Sequence, residues 1–298
     1  MRLGIVLPPS GPLGRADAVA EIARRAEQIG YDRIWIAGSA RPLLAPEAQP
    51  GQMPDPLAVA AANTEQIGLG VTLANVPFAS PIALVERLGR IERQSPGRLT
   101  VGLGGGSTTG ELAAVLGALS GSTPASEFVA AFEALWTCSP DGFRGEYFVV
   151  SGRQAPCPKA GGRLPMALSM FSPAAVQPAR ALLDGADGLA VSPADAGQGL
   201  ALLRDAVAAT GPSGSIMARV EVANHASTAG GRRALLSGPD GHVAEDLVAI
   251  RDAGVGHLAI DVTGGGPDIA LGAMLGRMAR FREIAGFAIE RRLEALAA

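Results

Sequence analysis

Cysteine and histidine are scarce in this chain, with two and three residues respectively among 298. Cys138 and Cys157 form no CxxC pair and no Cys/His set at ligand spacing, which argues against a structural zinc and leaves no metal site to name. Two thiols in so long a chain fit a reduced, cytoplasmic setting rather than a disulfide framework. Positive charge is not in excess: the net charge is −3, so the basic footprint of a nucleic-acid binder is missing. Long apolar runs are missing too, and none approaches the ~18 residues of a membrane span. The opening MRLGIVLPPSGPLG is too short for a signal peptide and reads as a first strand.

What the chain has is rhythm. Hydrophobic residues make up 48% of it, arranged as short apolar runs alternating with longer amphipathic segments. LGIVL (3–7), DRIWIA (32–37), LGVTLA (69–74), RLTVGL (98–103), LPMAL (164–168), DGLAV (187–191), IMARVEV (216–222) and HLAIDV (257–262) read as strands. Helical patterns lie between most of them. Eight β/α units predict a (β/α)8 TIM barrel, one domain over residues 1–298. Such a barrel carries its chemistry on the loops after the strands, so the search narrows to residues just beyond each run.

Start and stop signals support the pattern. Ala16–Ile29 has apolar residues at helical spacing, and Gly30 follows where a helix ends. Asp55-Pro56, Ser80-Pro81, Ser172-Pro173 and Ser192-Pro193 each combine a capping side chain with proline at the first helical position. They predict helices from Asp55-Pro56 to about Gln66 and from Ile82 to about Gln94. Further helices are expected over about 111–119, 126–136 and 241–253, the last closed by Gly254. In the terminal helix, Leu271, Met274, Leu275, Met278, Phe281 and Ile284 form a stripe suited to packing on the barrel. Two stretches are irregular: the loop Gly38–Pro54 and the turn-rich excursion 138–163. Loops that long in a compact domain usually serve function, and both are expected to line a substrate entrance.

Six stretches, in order, resemble the bacterial luciferase-like flavin monooxygenase family. They are AEQIGYDRIWI (26–36), DPL through QIGLG (55–70), PIALVERLGRIERQSPGRLTVGLGGG (81–106), FEALW with FRGEY (132–147), ADG (186–188) and GPDGHVAEDLVAIRDAGV (238–255). No single one is specific; their order over nearly the whole chain carries the resemblance. It implies a (β/α)8 barrel that uses FMN, or alternatively coenzyme F-420, for hydride transfer or oxygen activation on a small organic substrate. It also implies a homodimer, and a flavin reductase as a candidate electron-supplying partner.

The resemblance places the flavin ring against the end of the third strand, at Thr72, Leu73, Ala74 and Asn75, with Thr72–Leu73 matching a bond that relatives often hold in the cis form. Gly104, Gly105, Gly106 and Ser107 let backbone approach a ligand closely. Glu111 resembles a carboxylate that some relatives place near the ring, although a surface Glu favoured by the helix dipole is an equal reading. Ser169, Phe171 and Ser172 resemble the phosphate loop, where hydroxyls and amides at a helix start would hold an anion. Ser172 also reads as a plain N-cap. Trp35, Phe78 and Phe171 are candidate aromatic walls, with a core role for Trp35 left open.

Two departures matter. No Arg or Lys adjoins the phosphate loop. Relatives that use F-420 usually carry an acidic residue after the second strand, where this chain has Gly38-Ser39-Ala40. That favours FMN, or a non-catalytic flavin-binding protein on the same barrel. His225, His242 and His257 lie away from the strand ends, so no general base is assigned.

Overall fold

The computed structural model describes residues 1–7, 11–37, 55–73, 80–104, 123–152, 164–170, 188–191, 196–210, 215–222, 233–263 and 269–297. Among them the elements run β1 (Arg2–Leu7), α1 (Ala16–Gln28), β2 (Arg33–Ala37), α2 (Pro56–Ala62), β3 (Gly68–Leu73), α3 (Pro81–Gln94), β4 (Leu99–Gly104) and α4 (Thr123–Trp136). A two-stranded hairpin follows, β5 (Phe143–Arg144) and β6 (Val149–Val150). The chain continues with β7 (Met166–Met170), β8 (Gly188–Val191), α5 (Gln198–Thr210), β9 (Ser215–Glu221), α6 (Asp240–Asp252), β10 (His257–Asp261) and α7 (Leu271–Ala297).

The eight apolar runs form the eight strands of one closed parallel barrel, in the order β1-β10-β9-β8-β7-β4-β3-β2. Closure follows from burial on both faces. Ile5, Leu7, Ile34, Leu69, Val101, Leu258 and Ile260 join the main core under the helices, while Val6, Trp35, Met217 and Ala259 form a separate cluster. Register places that second cluster inside the barrel, since Val6 is opposite Trp35, and His257 is opposite both Arg2 and Met217.

The expected caps at α2 and α3 are present. The Asp55 side chain accepts from the Leu57 N–H at 3.0 Å, and the Ser80 hydroxyl accepts from the Ala83 N–H at 3.3 Å. Gly30 and Gly254 close α1 and the α6 turn with φ of 83° and 93°, a region that glycine enters without cost. Helix α2 stops at Ala62, short of the expected Gln66. The reason is a carboxylate from another element: Glu27 on α1 accepts the backbone N–H groups of Glu65, Gln66 and Ile67. Those donors are thereby withdrawn from any further helical turn. Burial raises the Glu27 carboxyl, but the three N–H groups outweigh it and leave it below the usual range.

Within the irregular 138–163 excursion, the β5–β6 hairpin is held in the same manner. Glu127 on α4 accepts from the N–H groups of Glu146, Tyr147 and Phe148. The expectation of free thiols is corrected here: Cys138 is disulfide-bonded, and Cys157, the only other cysteine in the sequence, lies outside the described residues. The cis bond expected at Thr72–Leu73 finds no support. Among the described residues no peptide bond is cis, and β3 keeps regular register with β4 through Thr72↔Gly102 and Leu73↔Leu103.

Candidate functional site

Four of the residues singled out from the sequence fall on described strand ends. Thr72 and Leu73 close β3, Gly104 closes β4, and Ser169 is the penultimate residue of β7. These strands are neighbours in the barrel. Thr72 sits beside Gly102, and Gly104 beside Ser169, so adjoining strands bring the three positions to one C-terminal rim, about 4.8 Å between strands. Thr100, Gly102 and Gly104 alternate along β4 on the row that Thr100 places inside the barrel, where it lines an internal cavity. Two glycines in succession leave the upper part of β4's inward row without side chains. Ala74, Asn75, Gly105, Gly106, Ser107, Glu111, Phe171 and Ser172 lie outside the described residues, as do Phe78, His225 and the Gly38–Pro54 loop.

The floor beneath the mouth is built by Trp35. Its indole is 3% exposed, and its Nε1–H donates to Nε2 of His257 at 2.9 Å, ring edge to ring face. Room for the indole comes from missing side chains. A Cβ on Gly4 would stand 2.7 Å from Trp35 Cδ1, and one on Gly70 would overlap the six-membered ring. Trp35 is thus interior core, one of the two roles left open for it. His257 is structural, as expected from its place at a strand start. Burial, then the charges of Arg33 and Arg2, push it down to about 3, so it remains a neutral acceptor for the indole.

Sequence reasoning passed over one carboxylate at the rim. Asp261 ends β10, next on the inward row after His257 and Ala259, and is buried. Its Oδ1 accepts from the Thr263 N–H at 3.1 Å and the Thr263 hydroxyl at 2.7 Å, which fixes the carboxylate at the rim. Its register partner on β9 is Glu221. In barrel order β10 lies across from β4, so Asp261 stands opposite Gly104. The sequence shows only that each acid interrupts an apolar run near its end, in RVEV and AIDV; closure of the ring is what sets Asp261 opposite Gly104.

A groove of about 910 Å3 lies outside the barrel between α5, α6 and α7, lined by Arg204, Val248, Ile284 and Phe287 among others. It touches no strand end and is not where barrel chemistry sits. Among the described residues, no cluster of three His, Cys, Asp or Glu side chains is placed to hold a metal, and no helix is long and apolar enough to cross a membrane.

Comparison with known proteins agrees with this geometry. A 4-hydroxyprotoasukamycin monooxygenase from Streptomyces nodosus subsp. asukaensis is 27% identical over 117 residues, 37% of this chain and 30% of its own length. The match therefore spans less than a third of that relative. The oxygenating constituent of 3,6-diketocamphane monooxygenase from Pseudomonas putida, solved with FMN, superposes with a TM-score of 0.66 at 14% identity over 97% of this chain and 98% of its own. An F-420-dependent secondary alcohol dehydrogenase with an F-420–acetone adduct gives 0.67 at 14% identity, covering 95% and 97%. At such identities the structures speak for the fold. Residues 1–229 match the family model described as luciferase-like monooxygenase, and with the closed barrel already on that plan, the chain belongs to the luciferase-like monooxygenase family.

Proposed function

We propose that this chain is a single-domain flavin-dependent oxidoreductase, a monooxygenase or dehydrogenase that uses reduced FMN on a small organic substrate. The observation that carries the reading is the rim itself. Thr72, Gly104 and Ser169 end three adjacent strands, with Gly102 and Gly104 leaving open the row above the Trp35 floor. A flat, largely apolar ring needs such a slot, with backbone polar groups at its edge. The flavin would supply the redox chemistry. The protein's own part is to seat the ring on the β3 and β4 ends, hold its phosphate near Ser169, Phe171 and Ser172, and handle protons at the opposite rim through Asp261.

F-420 is the alternative cofactor, supported by the dehydrogenase likeness. The usual acid is absent after β2, but Asp261 offers a carboxylate at the same rim, so a catalytic reading gains over a purely flavin-binding one. A homodimer supplied by a separate flavin reductase, in the cytoplasm, completes the proposal. The Cys138 disulfide weighs against the cytoplasmic part, and a thiol count decides that point.

The direct test is a fluorescence titration of the purified protein with FMN, FAD and F-420. Submicromolar to micromolar binding of one of them, with turnover on a substrate panel, is expected. Dissociation constants above the millimolar range for all of them end both flavin readings. A Ser172→Arg change adds the missing charge and should tighten FMN; unchanged affinity moves the phosphate elsewhere.

A further inference from the structure

The opposite end of the barrel holds a second cavity that flavin chemistry does not use. Its volume is about 400 Å3, and it is lined by Arg2, Arg33, Trp35, Thr100, Pro165, Met166, Ala167, Gly188, Met217, Gly256 and His257. Most of these residues open strands rather than close them, which fixes the cavity at the N-terminal mouth. Bulky branched side chains ordinarily fill a barrel at this level. Here Thr100, Ala167 and Gly188 stand in their place, and the space remains.

Its charge is one-sided. Arg2 and Arg33 both line it, and among the described residues neither guanidinium forms an ion pair. Arg33 uses one nitrogen, Nη1, on the Leu69 carbonyl at 3.4 Å and on the Thr100 hydroxyl. Its carbon lies 5.6 Å from the centre of the Trp35 ring. A guanidinium carries five N–H donors in a planar fork, so most of Arg33's capacity is unspent. The nearby carboxylate, Asp32, accepts from the Leu3 N–H at 2.7 Å and forms no ion pair with either arginine. Burial, then the neighbouring Arg2, lowers Arg33 to about 10, against an opposing pull from Asp32. His257 accepts from Trp35 at Nε2, which assigns its proton to Nδ1, a further donor with no partner among the described residues.

We infer that this N-terminal cavity is a binding site for a small organic oxyanion. A carboxylate or phosphate ester would meet the Arg2 and Arg33 forks, and an apolar body would pack against Trp35, Met166 and Met217. Guanidinium forks match planar or tetrahedral oxyanions with paired hydrogen bonds. The volume is at the low end for ligand pockets and suits a compact acid rather than a dinucleotide. Because the Trp35 floor lies between the two mouths, this ligand and a flavin bind independently.

Trp35 is the natural reporter, with Trp136 the only other tryptophan in the sequence. In a Trp136→Phe background, titration with benzoate and with inorganic phosphate at constant ionic strength should quench Trp35 emission saturably, benzoate binding tighter through its ring. Arg2 is exposed, so Arg2→Glu should fold, and it should weaken benzoate at least tenfold, which is about 1.4 kcal/mol. Calorimetry on the unmodified chain gives the same reading without the background change. Affinity for benzoate should not change when FMN is added to saturation. If FMN itself fails to bind, the anion titration still stands. No saturation by either anion, no preference for benzoate, equal affinity in Arg2→Glu, or displacement of benzoate by FMN each overturns the inference.

Discussion

Lowering the pH should destabilise this barrel through His257. The imidazole is 8% exposed, accepts the Trp35 N–H, and is pushed down to about 3 from an ordinary 6.5. The native state thus refuses a proton that the unfolded chain takes up as soon as pH drops below about 6.5. Stability from this residue is complete above that value and is lost as pH falls toward 3, by about 1.4 kcal/mol per pH unit. At about pH 4.5, two units into the window, the loss is about 2.7 kcal/mol. That is a large share of the ~5–15 kcal/mol typical of a folded domain. Carboxylates such as Glu27 titrate in the same region, so the wild type alone does not isolate the effect. His257→Gln does, because its amide oxygen can still accept from Trp35 but cannot ionise. Urea unfolding followed by circular dichroism at about pH 7.5 and pH 4.5 gives the comparison. The wild type should lose about 2.7 kcal/mol more than His257→Gln between the two. Equal losses would show that the imidazole is not held neutral in the core, and the account of the barrel floor would fail.

Other expectations are simpler to state. Gly70→Ala puts a methyl group into the Trp35 ring and should cost about 1–3 kcal/mol in denaturant unfolding; a neutral result would mean that the indole can move aside. Asp261→Asn should lower turnover by about 10²–10⁴-fold while leaving flavin affinity unchanged, as read by steady-state kinetics beside a binding titration. Cys138→Ser should cost about 3 kcal/mol if Cys157 is its partner, and the unreduced native protein should show no thiol reactive toward a chromogenic disulfide even after denaturation.

The fold was legible because its signals are repeated and local. Apolar runs of strand length and Asp-Pro or Ser-Pro helix starts recur along the chain, and the structure closes those runs into one barrel. Several residues of the family-like motifs turn out to be framework. In the 26–36 stretch, Gly30 takes the positive φ, the Tyr31 hydroxyl donates to the Met278 carbonyl at 3.0 Å, and Asp32 holds the Leu3 N–H. Asp55 caps α2 and also accepts from Nε and Nη2 of Arg87. Arg98 donates to the carbonyls of Thr64 and Ile67. These residues join elements, which is why the fold family reads clearly from them while the chemistry does not. What escaped was long-range and carried by lone side chains. Glu27 ending α2, Glu127 holding the hairpin, Arg2 meeting Arg33, and Asp261 facing Gly104 across the ring depend on closure, and no window of neighbouring residues encodes them.

The indole seated against Gly4 and Gly70 has a consequence for traffic. Packed with Val6, Met217 and Ala259, it stands inside the barrel between the N-terminal cavity and the C-terminal rim. On the flavin reading proposed above, a bound cofactor would be approached from the C-terminal side. If that reading holds, variants that shrink Trp35 should open a second route for dioxygen and raise peroxide release in the FMN-loaded protein.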